Sequence, residues 1–306
     1  MSDTLPTTAP TAAGNDIRPF QPFSSLVRID VAAKSHAGLV RPNNEDQFFV
    51  AQMSRALATM LSSLPPGDVP ERAEEVNYVM IVADGMGGHA AGELASRMAI
   101  SALASLALDL PDWILKLTKD AAAELERRAR EFVQQAGALL YERGHQDMEL
   151  RGMGSTLTLA RSLGRDLLIA HVGDSRAYLF RAGHLHRITK DHTYAQMLID
   201  SGRLHPDDIA ISGVRHILTN ALGGSTQHVD VDVDILRLET GDRLLLCSDG
   251  LTDVVEDEII TETLAAHPKS SHACDQLVEM ALDGGGRDNI TVIVAAYTIP
   301  DEPTSD

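Results

Sequence analysis

Apolar residues along this chain come in short runs, and several of the runs stop at an aspartate. Val76 to Ala83 reads Val-Asn-Tyr-Val-Met-Ile-Val-Ala and stops at Asp84-Gly85. Leu167 to Gly173 stops at Asp174, and Leu244 to Ser248 stops at Asp249-Gly250. Asp288 reverses the order and opens the run Ile290 to Ala296. Apolar runs of this length between turn residues predict buried strands. An alternating pattern through Leu26, Arg28, Asp30 and Ala32 predicts a first strand ending near His36, with Gln47–Ala51 as its partner and Arg41 to Asp46 as the loop between them. Further strands are predicted near 155–161, 166–173, 175–181, 184–188, 230–237, 242–248 and 289–298, with Gly164-Arg165 and Ala182-Gly183 as hairpin-like turns.

Helical spacing takes over elsewhere. It predicts long helices over 91–108 and from Asp112 or Lys119 to Arg143, and shorter ones near 193–202, 256–265 and 271–282. Residues 54–75 hold Ser-Ser-Leu-Pro-Pro-Gly-Asp and then Pro-Glu-Arg-Ala-Glu-Glu, which reads as an insertion with a short helix at each end. The stretch 203–228 is rich in Gly, Ser and His and reads as irregular. Strands in clusters with long helices between them predict an α+β layered fold. Residues 1–24, rich in Thr, Pro, Ala and Ser, predict a disordered N-terminal tail. Residues 25–298 form the folded unit, and 299–306 a C-terminal tail.

Aspartates at the ends of buried strands repel one another unless something positive lies between them. A hard divalent cation held by oxygen ligands is the simplest candidate. The net charge of −18 over 306 residues argues against general binding to nucleic acid, whose phosphates would be repelled. Two cysteines, Cys247 and Cys274, have no zinc spacing and fit a reducing, cytoplasmic setting. No apolar stretch approaches the roughly 20 residues needed to span a bilayer, and no secretory signal is visible.

The richest segment is Val82-Ala-Asp84-Gly85-Met86-Gly87-Gly88-His89-Ala-Ala-Gly92-Glu93. Alone it could be a strand-to-helix turn. Gly85-x-Gly87-x-x-Ala90 also fits a loose dinucleotide fingerprint. Against that reading, Asp84 would place negative charge by a pyrophosphate, and no strand ending in an acidic residue follows at the expected distance. A metal-binding turn fits better, with a carboxylate from Asp84 and a carbonyl from Gly85. His171 to Arg176, Cys247 to Asp253 and Gly284 to Asn289 could each be an ordinary turn or loop, but their joint placement at strand edges is much harder to obtain by chance. The loop Arg41-Pro-Asn-Asn-Glu45-Asp46 adds a guanidinium that matches two phosphate oxygens, and carboxylates able to hold metal-bound water.

Together these segments resemble the metal-dependent protein phosphatases, the type 2C serine/threonine phosphatases, in their compact bacterial form. Gly38 to Asp46, Val82 to His89, Gly154-Ser-Thr-Leu157, His171 to Arg176, Thr189-Lys-Asp-His192, Leu218 to Gly223, Leu246 to Thr252 and Asp288-Asn-Ile-Thr291 occur in the family's order. The resemblance implies a four-layer sandwich, two antiparallel sheets packed face to face with helix pairs outside. It implies two Mn²⁺ or Mg²⁺ ions, with Asp84 bridging both, Gly85 lending its carbonyl, Asp249 and Asp288 holding the other, and Glu45 and Asp46 acting through water. Asp174 matches the residue that, with Asp249, holds a third metal in bacterial members. Arg41 matches the phosphate-binding arginine, and 192–228 a mobile flap. Animal members carry a histidine directly after Asp-Gly; Met86 stands there in this chain, and His89 is the candidate general acid. The implied activity is hydrolysis of phosphoserine and phosphothreonine in phosphorylated protein substrates, with a serine/threonine kinase as counterpart and neither nucleic acid nor membrane as partner. The competing expectation is a catalytically silent module of the same fold that binds phosphoproteins or a kinase.

Overall fold

The computed structural model describes residues 27–65, 68–88, 90–108, 119–205 and 214–300. The expected N-terminal tail, His89, any helical turn between Asp112 and Thr118, and residues 301–306 lie outside them.

Two antiparallel sheets form the centre. The first has the order β1 (Arg28–His36), β12 (Ile290–Thr298), β11 (Arg243–Cys247), β7 (Arg176–Arg181) and β8 (His184–Arg187). The second runs β10 (Asp232–Arg237), β6 (Asp166–Val172), β5 (Leu157–Leu163) and β3 (Arg72–Met86). It is completed by β2 (Asp46–Ala58) on the other edge of β3 and by short β4 (Gly154–Ser155) and β9 (Leu222–Gly223) beyond the end of β5. α1 (Ala90–Leu108) and α2 (Lys119–Gln146) cover the outer face of the second sheet. α4 (Asp249–Thr252), α5 (Asp257–Ala266) and α6 (Ser270–Asp283) cover the first. α3 (Tyr194–Asp200) follows β8, with the Thr193 hydroxyl accepting from the Gln196 N–H at 3.2 Å as its N-cap.

The apolar runs are continuous rather than alternating because each central strand is buried on both faces. In β3, Val79, Ile81 and Ala83 point to α1 and α2, while Met80 and Val82 point to the opposite sheet. In β12, Val292 and Val294 meet α6 and its neighbours, and Ile293, Ala295 and Tyr297 fill the space between the sheets. This is the four-layer sandwich the resemblance implied.

Three local expectations change. β1 pairs with β12 and β2 with β3, so residues Arg41–Glu45 carry the chain from one sheet to the other instead of closing a hairpin. Residues 54–75 hold no helix among the described residues. The β2–β3 ladder runs from Asp46↔Asp84 to Ala58↔Arg72, and the face that begins at Val79 continues through Asn77, Glu75 and Ala73, all buried. Finally, Ile299 belongs to the core and is held by hydrogen bonds with the Thr240 hydroxyl, so the folded unit reaches past residue 298. No helix among the described residues is long and apolar enough to cross a membrane.

Candidate metal centre

The chain passes between the sheets at β1–β2 and again at β6–β7, and the β11–α4 junction and the start of β12 lie at the same end of the sandwich. This is why aspartates distant in sequence meet. Asp46 and Asp84 are direct partners across β2 and β3, so their side chains leave the sheet on one face. Asp174 lies in the β6–β7 crossing. Asp249 opens α4 directly after β11, and Asp288 precedes β12.

Backbone clamps hold each group in place. The Asp84 N–H donates to the Thr156 hydroxyl at 2.9 Å, and its carbonyl accepts from the Thr156 N–H at 2.8 Å and the Ser155 hydroxyl at 3.0 Å. Ser155 and Thr156 are thus scaffolding. The Glu45 carbonyl accepts from the Gly85 N–H at 3.2 Å and the Ser96 hydroxyl at 2.6 Å. Gly85 has no room for a side chain: a Cβ there would lie 2.0 Å from the Gly92 carbonyl oxygen. A Cβ on Gly92 would lie 2.1 Å from Glu45 Oε2. Glycines therefore bring the Glu45 side chain, the Gly85 backbone and the start of α1 together.

The electrostatics are those of crowded negative charge. Burial, then Asp249 and Asp288, push the Asp46 carboxyl up to about 7, against hydrogen bonds from Ser248 and Thr291 that favour its ionised form. The Asp84 carboxyl is raised well above the ordinary carboxylate range by burial first, then by Asp46, Asp249, Asp174 and Asp288. Asp174 is raised likewise, by burial and Asp249. Two basic side chains reach the group. Arg41 donates to Asp288 Oδ2 at 2.6 Å and is 55% exposed, so its fork remains accessible from solvent. His216 Nδ1 lies 3.4 Å from Asp249 Oδ2.

The donor set fits divalent ions. Buried Asp46 Oδ1 and Asp249 Oδ1 have no hydrogen-bond partner among the described residues. Leaving such oxygens unpaired is costly, and a hard cation satisfies them. Ligand atoms of Asp174, His216 and Asp249 also lie within 4.8 Å of one another. An apolar cavity of about 250 Å³ lies elsewhere, between α1, α2 and the outer face of the second sheet. Phe49, Met53, Leu103, Leu125 and Phe132 are part of its lining, and none of these acidic residues is.

A protein-family model described as protein phosphatase 2C matches residues 70–283. The chain belongs to the protein phosphatase 2C family. It is 40% identical over 264 residues to the serine/threonine protein phosphatase PstP of Mycobacterium tuberculosis, covering 86% of this chain and 44% of that protein. The chain thus spans less than half the length of this relative. A serine/threonine phosphatase of Listeria monocytogenes is 36% identical over 216 residues, 71% of this chain and 83% of that protein. The crystal structure of the M. tuberculosis phosphatase PstP superposes with a TM-score of 0.71 at 37% identity, covering 88% of this chain and 98% of that one. A second structure, of the PstP catalytic domain with two manganese ions, gives 0.70 at 36% identity and covers 89% and 99%.

Of the groups this phosphatase 2C chain was expected to use, Arg41, Glu45, Asp46, Asp84, Gly85, Asp174, Asp249 and Asp288 lie at one end of the sandwich. His89 is outside the described residues. Sequence reasoning gave no role to Asn289, whose Oδ1 accepts from the Glu45 N–H at 2.7 Å and whose Nδ2 donates to the Ala37 and Asn43 carbonyls at 2.9 and 2.8 Å. It also gave none to Ser248, which donates to Asp46 Oδ2 at 2.6 Å. Both sit beside a flagged aspartate, the one signal that could have found them. His216 had no signal, being one histidine in an irregular stretch.

Proposed function

We propose that this protein hydrolyses phosphoserine and phosphothreonine in protein substrates with the help of divalent metal ions. One observation carries the reading: five aspartates from separate parts of the chain converge, three of them with carboxyls pushed upward and two with buried oxygens that lack partners among the described residues. Relatives bearing the name serine/threonine phosphatase, and one crystallised with two manganese ions, support it.

In this reading Asp84 and the Gly85 carbonyl would hold two ions, Mn²⁺ or Mg²⁺, together with Asp249 and Asp288. Glu45 and Asp46 would steady the surrounding water, and Asp174 with Asp249 would serve a third ion. The ions, when bound, supply water acidic enough to attack phosphorus near neutral pH and offset charge on the phosphoryl oxygens. Arg41 presents its donor fork to those oxygens and shares its charge with Asp288 in the meantime. The P–O bond to the seryl or threonyl oxygen breaks, and that oxygen takes up a proton, for which His89 is the sequence candidate. Cys247 plays no nucleophilic part: it is buried, and burial pushes its thiol up to about 12. A serine/threonine kinase is the fitting counterpart, in a cytoplasmic setting consistent with two free buried cysteines.

The test is hydrolysis of p-nitrophenyl phosphate and of a phosphothreonine peptide with Mn²⁺. Activity should vanish with EDTA, and Asp249→Asn should lower turnover at least about a hundredfold, the several kcal/mol of a lost charge-stabilising group. Near-normal turnover of that variant at saturating Mn²⁺ overturns the proposal. Metal binding without any turnover would favour a silent phosphoprotein-binding module.

A further inference from the structure

His216 lies in the segment between α3 and β9, and several contacts fix it there. Thr193 and Leu218 form an isolated antiparallel bridge, and the Tyr194 N–H donates to the Ile217 carbonyl at 2.8 Å. Arg215 donates to the Thr252 carbonyl at 3.0 Å and pairs with Asp253 at 2.8 Å. The His216 ring is thereby held over the start of α4. Its Nδ1 is 3.4 Å from Asp249 Oδ2 and its Nε2 is 3.4 Å from Asp253 Oδ2.

These spacings are long for charge-assisted hydrogen bonds, which close to about 2.7–2.9 Å. They suit a ligand instead. Two adjacent donors on one octahedral ion, each about 2.1 Å from it, sit about 3 Å apart. Ligand atoms of Asp174, His216 and Asp249 fall within 4.8 Å of one another, so modest movement of a ring that is 56% exposed brings all three onto one ion. Two further observations point to a missing partner. Asp174 is buried, with 7% of the residue exposed, and offers its carboxylate oxygen on the same side as those of Asp249 and His216. Asp249 Oδ1 is buried and has no hydrogen-bond partner among the described residues.

We infer that His216 is a flap-borne nitrogen ligand: its Nδ1 joins Asp174 and Asp249 on a third divalent ion while its Nε2–H donates to Asp253. The inference rests on the proposed metal-dependent reading of the acidic cluster and extends it, because an ion on Asp174 and Asp249 alone involves no group from the flap. A carboxylate that orients a metal-bound histidine through its far nitrogen is a common arrangement, and Asp253 is placed for it. Two consequences follow. Occupancy of this ion ties the segment around Arg215–Ile217 to α4. An imidazole donor also shifts the site from Mg²⁺ towards Mn²⁺ and later transition metals, because Mg²⁺ prefers oxygen and keeps its water.

The experiment counts bound Mn²⁺ on the full chain by electron paramagnetic resonance across a range of free Mn²⁺, for the wild type, His216→Ala, Asp253→Asn and Asp249→Asn. The flap is probed in parallel by trypsin cleavage at Arg203 and Arg215. His216→Ala should weaken the lowest-affinity Mn²⁺ at least about tenfold and leave the tighter ions in place. Asp253→Asn should weaken the same ion by a smaller factor. Mn²⁺ should slow flap cleavage in the wild type and not in His216→Ala, and Mg²⁺ in place of Mn²⁺ should protect poorly. Unchanged Mn²⁺ count, affinity and protection in His216→Ala would make the ring a simple ion-pair partner and overturn the inference. If the wild type itself binds no Mn²⁺, the phosphatase reading fails with it; if Asp249→Asn loses the tight ions while His216→Ala loses nothing, only this inference fails.

Discussion

Metal binding to this centre should expel protons, and the structure sets the scale. Asp46 ordinarily would titrate near 3.8, and burial beside Asp249 and Asp288 raises it to about 7. Between those values the ion-free folded protein holds a proton that the unfolded chain has already released. The ion-free fold therefore loses stability as pH rises across that window, by about 4 kcal/mol at about 1.4 kcal/mol per unit. Bound cations reverse the preference and favour the ionised carboxylate. At pH 5, two units below 7, the metal must first displace the proton, which costs about 3 kcal/mol, or roughly a hundredfold in affinity. Asp84 and Asp174 are raised in the same direction and add to the effect. Buried His171 works oppositely: burial lowers it to about 4, so its contribution to stability is gained between pH 4 and 6.5. That contribution is the same with and without metal and cancels in the difference between the two. Calorimetric titration with Mn²⁺ at pH 6, in two buffers of different ionisation heat, should show about one or more protons released per chain. Apparent affinity should weaken about a hundredfold or more from pH 7.5 to 5, and the gain in melting temperature from Mn²⁺ should shrink accordingly. Zero proton release, with affinity flat from pH 7.5 to 5, would refute the reasoning.

Two substitutions test the scaffold. Asn289→Ala removes three hydrogen bonds that pin the Arg41–Glu45 crossing, at about 1 kcal/mol each. It should lower stability in urea unfolding by about 2–4 kcal/mol and weaken Mn²⁺ binding, and a loss below about 1 kcal/mol would show that the crossing is held otherwise. Gly85→Ala places a methyl 2.0 Å from the Gly92 carbonyl oxygen and 2.9 Å from that of Glu45, both backbone atoms that cannot swing aside. It should cost about 1–3 kcal/mol of stability and reduce Mn²⁺ affinity, and unchanged affinity would show that the Gly85 carbonyl is no ligand.

The sequence by itself determined the strands, the long helices and the acidic positions. Val79 to Ala83 and Ile290 to Ala296 read as strands because both their faces are buried, and burial leaves its mark residue by residue. The aspartates stood out because a turn residue at the end of such a run is a local pattern. Pairing was not local. Nothing within Arg28–His36 says that its neighbour is Ile290–Thr298 rather than Asp46–Ala58, since many apolar edges could satisfy its backbone groups. The extent of the β2–β3 ladder was equally hidden, because Pro65 and the charged residues before Val76 obscure a period of two that the sheet restores. Only the tertiary structure brought Asn289 under the Glu45 amide and His216 over Asp249. Their roles come from which loops meet where the sheets end, and that meeting depends on close packing across the whole sandwich, not on the residues beside them in the chain.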